Sequence, residues 1–308
     1  MRALACPASL KGVLAAPAAA AALVAGFERA GADAEALPVA DGGEGTAEVL
    51  GAGVLRRCEV HDAFGRPREA PLWALGNGTV VVESADAIPL DPARLDLLAA
   101  SSRGFGELLA QVGDCPRLLV CLGGTATMDG GAGLLEVVDE LPAPTIVLCD
   151  TRATLLEAPR LYGPQKGASP EDIAQLEDRF RGAAFGDLPG SGAAGGLGAA
   201  LASLGGELVS GARFVLDAVG FPERAAAADL VVTGEGTVDR TTFEGKAPGE
   251  AVRVCRELGV PHVLFGGRVK DGIAAVALSG DPNRAEADLQ ALGGRLGTGT
   301  PPAPVEGS

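Results

Sequence analysis

The last third of the chain alternates in a way that few folds accommodate. DLVVTG (229–234) reads as a strand and PGEAVRVCREL (248–258) as a helix. HVLFGG (262–267) and IAAVALS (273–279) read as strands, and AEADLQAL (285–292) as a helix. The N-terminal end repeats the pattern: RALAC (2–6), an alanine-rich helix, then EALPV (35–39). Strands interleaved with helices need crossover connections, so both ends predict a parallel sheet covered by helices. Between them the pattern changes. GVLRRCEV, APLWAL and TVVVES are split by FGRP and GNG, the mark of antiparallel strands and tight turns. A helix is expected over roughly 92–112, strands at RLLVCLGG (117–124) and PTIVLCD (144–150), and helices near 170–181 and 193–204. The expected class is α/β: one α/β domain from 1–46 and 186–308, with a disordered tail from about 297, and a mixed α/β domain, 47–185, inserted into it.

Composition narrows the partners. A net charge of −15 argues against nucleic acid and anionic membranes, which reward clustered Lys and Arg. The six cysteines form no CxxC pair, and Cys6, Cys58, Cys121 and Cys149 sit in apolar, strand-like surroundings, as buried free thiols do. Two histidines leave almost no material for a zinc site or a His-based triad. The run 12–27 resembles a signal h-region behind Arg2 and Lys11, but it is too short to span a bilayer. Charged residues follow it with no clear cleavage site, so it reads as a helix of a cytoplasmic protein.

Four Gly-rich segments could carry chemistry: 41–46 (DGGEGT), 123–133 (GGTATMDGGAG), 190–198 (GSGAAGGLG) and 233–246 (TGEGTVDRTTFEGK). In open α/β sheets ligands bind at the carboxyl ends of strands, where three of these segments are expected. Charge sorts them. A phosphate favours bare N–H groups with no carboxylate beside them, which suits GGTAT, with Gly124 and Thr125, and the 190–198 segment, with Gly192, Gly195 and Gly196. Asp41, Glu44, Asp129, Glu235 and Asp239 suit Mg²⁺ or a substrate hydroxyl instead; each could equally cap a helix or close a turn. Phosphate cradles beside acidic loops are what phosphoryl transfer requires. Gly190, Gly192 and Gly195 also match GxGxxG, but FGDLP rather than a strand precedes them, against a nicotinamide-binding fingerprint. Of 25 basic residues only four are lysines, and Lys11, Lys166 and Lys246 fall in loops of interest, either by chance or because a compact ammonium is needed there.

With PASLKG, LPVADGGEGT, LGGTATMDGGAG, YGPQKGAS, PGSGAAGGLGAAL and DLVVTGEGTVDRTTFEGKAP in order, the chain resembles the bacterial type I glycerate kinase family over most of its length. The resemblance implies a Rossmann- or flavodoxin-like domain and a restriction-endonuclease-like one, with the active site in the cleft between them. It also implies ATP- and Mg²⁺-dependent phosphorylation of glycerate to phosphoglycerate. On that reading Asp41 or Asp239 orients or deprotonates the attacked hydroxyl, and Lys11 and Lys246 neutralise phosphates or the substrate carboxylate. Ser9, Glu44, Gly124, Thr125, Lys166, Gly192, Gly195, Gly196 and Glu235 contact substrate or phosphate, and Asp129 and Glu235 are the candidate Mg²⁺ ligands. The expected partners are a small hydroxy acid (glycerate or similar) and a nucleotide, with no nucleic acid or membrane, and a second copy of the chain in a homodimer. The chain departs from the family pattern at Ala8 (usually Asp), Phe105 (usually Thr), Met128 (usually Asn) and in a shortened stretch near 138–144. These departures leave two alternatives: a kinase for a related hydroxy acid, or a catalytically impaired paralogue that binds without turnover.

Overall fold

The structure, a computed structural model, describes residues 1–299, so the tail expected to be disordered lies outside the described residues from residue 300 on. Its strands are β1 (Arg2–Ala5), β2 (Asp33–Ala36), β3 (Gly53–His61), β4 (Pro67–Ala74), β5 (Val80–Glu83), β6 (Leu118–Leu122), β7 (Thr145–Cys149), β8 (Glu207–Ser210), β9 (Leu230–Val238), β10 (His262–Val269) and β11 (Val276–Ala277). One sheet has the order β11-β10-β9-β1-β2, the other β3-β4-β5-β6-β7-β8. The first is parallel throughout. In the second, β3, β4 and β5 pair antiparallel and β5 to β8 pair parallel. The α/β class and the central meander are as expected.

The chain forms two compact units, Met1–Asp41 with the chain from Val215 on, and Gly42–Phe214. The boundaries differ from those expected near residues 47 and 186. β8 is the reason for the second shift. This four-residue strand, which the sequence pattern does not announce, pairs with β7 and draws the chain up to Phe214 into the second unit.

In the first unit the alanine-rich helix Ala16–Arg29 lies against the helix Ala285–Gly297. Small side chains are needed there: a Cβ on Gly26 would stand 2.2 Å from the Gln290 carbonyl oxygen, and one on Gly293 would stand 2.3 Å from that of Leu23. Leu23, Phe27 and Leu289 of these helices are fully buried together with Val232 and Phe265 of the sheet. β9 corrects the sequence reading. It does not stop at Gly234 but continues to Val238, because β10 pairs with it as far as Val269. Glu235 therefore sits on a strand rather than in a loop.

In the second unit, Phe105, Leu108, Leu118, Val120, Leu134 and Leu197 build the core. The helix expected over 92–112 is reduced to Arg103–Leu109. Asp91 and Asp96 accept the amides of Ala93 and Ala99, and such local side-chain bonds compete with helical ones. Cys6, Cys58, Cys121 and Cys149 are buried free thiols, as expected. Among the described residues no helix is long and apolar enough to cross a membrane.

Candidate active site

The five-stranded sheet contains a switch in strand order. From β1 the chain steps one way to β2, whereas β9 lies on the other side of β1 and leads on to β10 and β11. The segments leaving β1 and β9 therefore diverge, which opens a crevice at their carboxyl ends. A cleft of about 390 Å³ lies there, and Ser9, Lys11, Glu235, Asp239, Lys246 and Arg268 are among the residues lining it. Five of these six were singled out in the sequence; Arg268, exposed at the end of β10, was not.

Local chemistry fixes these groups. After β1 the chain continues beside β9, with Ala8 N–H donating to the Gly234 carbonyl at 2.9 Å, which brings Ser9 and Lys11 to the crevice. Ala8 itself is buried, and an alanine at this position adds no carboxylate to the cleft. Asp239 opens the turn Arg240–Phe243: its Oδ1 accepts the Thr241 amide at 2.9 Å and the Thr241 hydroxyl at 2.5 Å. The helix Ala247–Leu258 follows, and its first turn rests on the Thr242 backbone so closely that a Cβ on Gly249 would meet the Thr242 carbonyl oxygen at 2.0 Å. That contact sets Lys246 at the helix start. Its Nζ donates to Glu235 Oε2 at 3.1 Å, while the Thr242 hydroxyl donates to Glu235 Oε1 at 2.6 Å. Asp41 Oδ1 accepts the Ala247 amide at 2.5 Å and so caps this helix from the far end of the sequence.

Two carboxylates of the crevice are tuned in opposite directions. Burial raises the Glu235 carboxyl above its ordinary value, against the pull of Lys246 and Thr242, and the charge of Asp41 raises it further. Burial also acts on Asp239, but the Thr241 hydroxyl and amide bonds with the charges of Lys246 and Lys270 outweigh it, and its pKa is lowered.

The second unit gathers another group of the singled-out residues at the carboxyl ends of β5 and β6. Glu83, at the end of β5, accepts the amides of Gly45 (2.8 Å) and Ala47 (2.6 Å) and so pins the 42–46 loop. Burial pushes the Glu83 carboxyl up to about 7, against those two bonds, and the charges of Asp86 and Glu44 add to the rise. The 42–46 and 123–125 loops abut: a Cβ on Gly43 would lie 3.2 Å from the Gly123 Cα, and one on Gly124 would lie 3.2 Å from Glu44 Oε2. The Thr46 and Thr125 hydroxyls are buried in these loops without a hydrogen-bond partner among the described residues. A buried orphan hydroxyl marks a place where a water or ligand oxygen belongs.

Several other expected site residues have their polar groups engaged by neighbouring chain segments. Asp129 is held by four donors: Oδ2 accepts the Ser102 amide (2.8 Å), the Ser102 hydroxyl (2.8 Å) and the Gly133 amide (3.1 Å), and Oδ1 accepts the Gly131 amide (3.1 Å). It ties the Ser102 and Gly131–Gly133 segments together. Lys166 is buried and donates to the Thr127 carbonyl at 2.7 Å, bracing the second Gly-rich loop from behind. The segment 190–198 is buried throughout. The amides of Gly192, Gly195 and Gly196 already donate to Ala153, Gly192 and Ala193, so they cannot cradle a phosphate in this arrangement. Close packing explains these glycines: a Cβ on Gly195 would fall 1.9 Å from the Thr127 carbonyl oxygen. Turns, not a strand, precede the segment, which removes the nicotinamide reading. Met128 and Phe105, two of the departures from the family pattern, are buried core residues.

Sequence reasoning missed Thr242 and Glu83. Thr242 stands three residues after Asp239, the spacing of a capping box, a signal that was available. Glu83 ends an apolar run, and only the fold shows that it faces two amides.

The model of the Glycerate kinase family matches residues 3–140 and 142–282. The Glycerate 2-kinase of Escherichia coli K12 is 33% identical over 333 residues, covering 90% of this chain and 87% of its own. The Glycerate kinase of Bacillus subtilis 168 is 32% identical over 335 residues, with the same coverage of 90% and 87%. A crystal structure from Salmonella typhimurium LT2, provisionally described as glycerate kinase 2, superposes with a TM-score of 0.73 at 29% identity, covering 97% of this chain and 98% of that one.

Proposed function

The chain belongs to the glycerate kinase family, and from that premise we propose that it transfers the terminal phosphoryl group of ATP to a hydroxyl of glycerate, releasing ADP and phosphoglycerate. The observation that carries the residue-level reading is the opposite tuning of Glu235 and Asp239 in one crevice. Where two acids are pushed apart, the raised one suits proton transfer and the lowered one suits a fixed negative charge. Glu235 is therefore the general base. It takes the hydroxyl proton as the oxygen bonds to the γ-phosphorus and the bond from that phosphorus to the β-phosphate oxygen breaks. This reverses the assignment expected from the sequence, in which Asp239 or Asp41 held that role. Asp41 acts on the helix that carries Lys246.

Magnesium fits the same crevice. Among the described residues no cluster of three or more His, Cys, Asp or Glu could hold a metal, but magnesium needs none: one or two carboxylates suffice alongside waters and substrate phosphates. Asp239, kept ionised and with only Oδ1 engaged by Thr241, would hold it, and the ion would screen phosphate charge during transfer. Lys11 and Arg268, both exposed in the crevice, add positive charge for phosphates. The orphan hydroxyls of Thr46 and Thr125 offer hydrogen bonds to an oxygen-rich ligand at the other unit's strand ends. The test is ADP formation with D-glycerate, MgATP and a panel of related hydroxy acids, with the phosphorylated position read by ³¹P NMR. Folded protein that turns over none of them refutes the proposal.

A further inference from the structure

We propose that Thr242 is a positioning residue for this phosphoryl transfer, acting through Glu235; the inference rests on the kinase reading above. The Thr242 side chain is fully buried in the turn Arg240–Phe243. Its Oγ1 lies 3.1 Å from the Asp239 amide nitrogen and 2.6 Å from Glu235 Oε1. The amide can only donate, so the hydroxyl accepts from it. The single hydroxyl proton is then directed to Glu235. The capping box accounts for the first bond, since a cap needs only an acceptor. It does not account for the second, which reaches back to β9.

The effect is to hold the carboxylate at both corners. Oε1 receives Thr242 from the turn, Oε2 receives Lys246 from the helix start, and the strand fixes the backbone beneath. Each carboxylate oxygen still has a lone pair for a substrate hydroxyl. The charged groups around this carboxylate are Lys246 and Asp41, with Lys11, Asp239, Arg268, Asp281 and Asp288 lining the same cleft. Without the Thr242 hydroxyl, only Lys246 holds the group, and the carboxylate is free to swing toward it and away from a fixed aim. Misplacing a reacting group by about 1 Å costs about 100-fold in rate.

The experiment compares Thr242→Val and Thr242→Ser, alone and combined with Glu235→Gln, by kcat, by KM for glycerate and ATP, and by thermal melting. Thr242→Val is expected to lower kcat about 10- to 100-fold with both KM values held. Thr242→Ser, which keeps the hydroxyl, restores kcat. In the Glu235→Gln background Thr242→Val adds no further loss, because there is no base left to aim. Should Thr242→Val fail to fold, Thr242→Ala carries the same comparison. An active wild type whose kcat ignores the loss of the hydroxyl, or whose losses simply multiply, overturns the inference alone. A folded wild type that makes no ADP from glycerate or from any acid of the panel overturns the kinase reading and this inference with it.

Discussion

Asp129→Ala removes one carboxylate that four donors share. Three are backbone amides, of Ser102, Gly131 and Gly133, and the fourth is the Ser102 hydroxyl. A hydrogen bond to a charged group contributes about 1.5–3 kcal/mol. Asp129 is only half-buried, so water recovers part of each bond, and the expected loss is about 3–5 kcal/mol. Asp129→Asn separates the oxygens. With its amide turned so that the remaining oxygen faces Ser102 and Gly133, only the Gly131 bond is lost, at about 1 kcal/mol. Urea unfolding of the three proteins reads these differences, with the order wild type, Asn, Ala. The magnesium dependence of turnover is expected to stay unchanged in both variants. If Asp129→Ala keeps wild-type stability but needs more magnesium, the carboxylate is a metal ligand and the framework reasoning fails.

Two further perturbations follow from the second unit. Burial raises the Glu83 carboxyl from 4.5 to about 7, so the folded state holds more protons than the unfolded one between those values. The stability this contributes is present below pH 4.5 and lost as pH rises through 7. Glu83→Gln, which cannot ionise, is expected to gain about 2–3 kcal/mol relative to wild type between pH 5 and pH 8 in urea unfolding; a pH-independent difference contradicts this. Gly195→Ala would drive a methyl group to 1.9 Å from the Thr127 carbonyl at a φ of +70°, a loss above about 4 kcal/mol that should show as insoluble or unfolded protein. Gly182→Ala, at +74° but with open space around it, should cost only about 1–2 kcal/mol.

The legible parts of the fold were those written in periodicity. Alternating strands and helices gave the parallel sheet, and short runs split by FGRP and GNG gave the meander. What stayed hidden depended on partners distant in sequence. β8 is four residues long, and only its pairing with β7 makes it a strand. β9 reads past its glycines because β10 accompanies it. At the site, residue type marked Ser9, Lys11, Glu235, Asp239 and Lys246, which the switch in strand order gathers into one crevice. The same signal, glycines and acids after strands, also marked Asp129, Gly192, Gly195 and Gly196, whose spacing serves close backbone packing. Composition cannot separate a glycine that approaches a ligand from one that approaches a neighbouring strand, and it cannot say which of two acids is buried. Division of labour between Glu235 and Asp239 comes from burial and from the Thr241 and Thr242 hydroxyls.

The most direct test of the central claim is glycerate-dependent ADP formation by wild type, Glu235→Gln and Asp239→Asn across a magnesium series. The wild type is expected to turn over, with a kcat about 10²–10⁴-fold lower in Glu235→Gln at every magnesium concentration. Asp239→Asn should recover much of its activity as magnesium rises. Wild-type turnover in Glu235→Gln, or a loss in that variant that magnesium repairs, contradicts the assignment of the base.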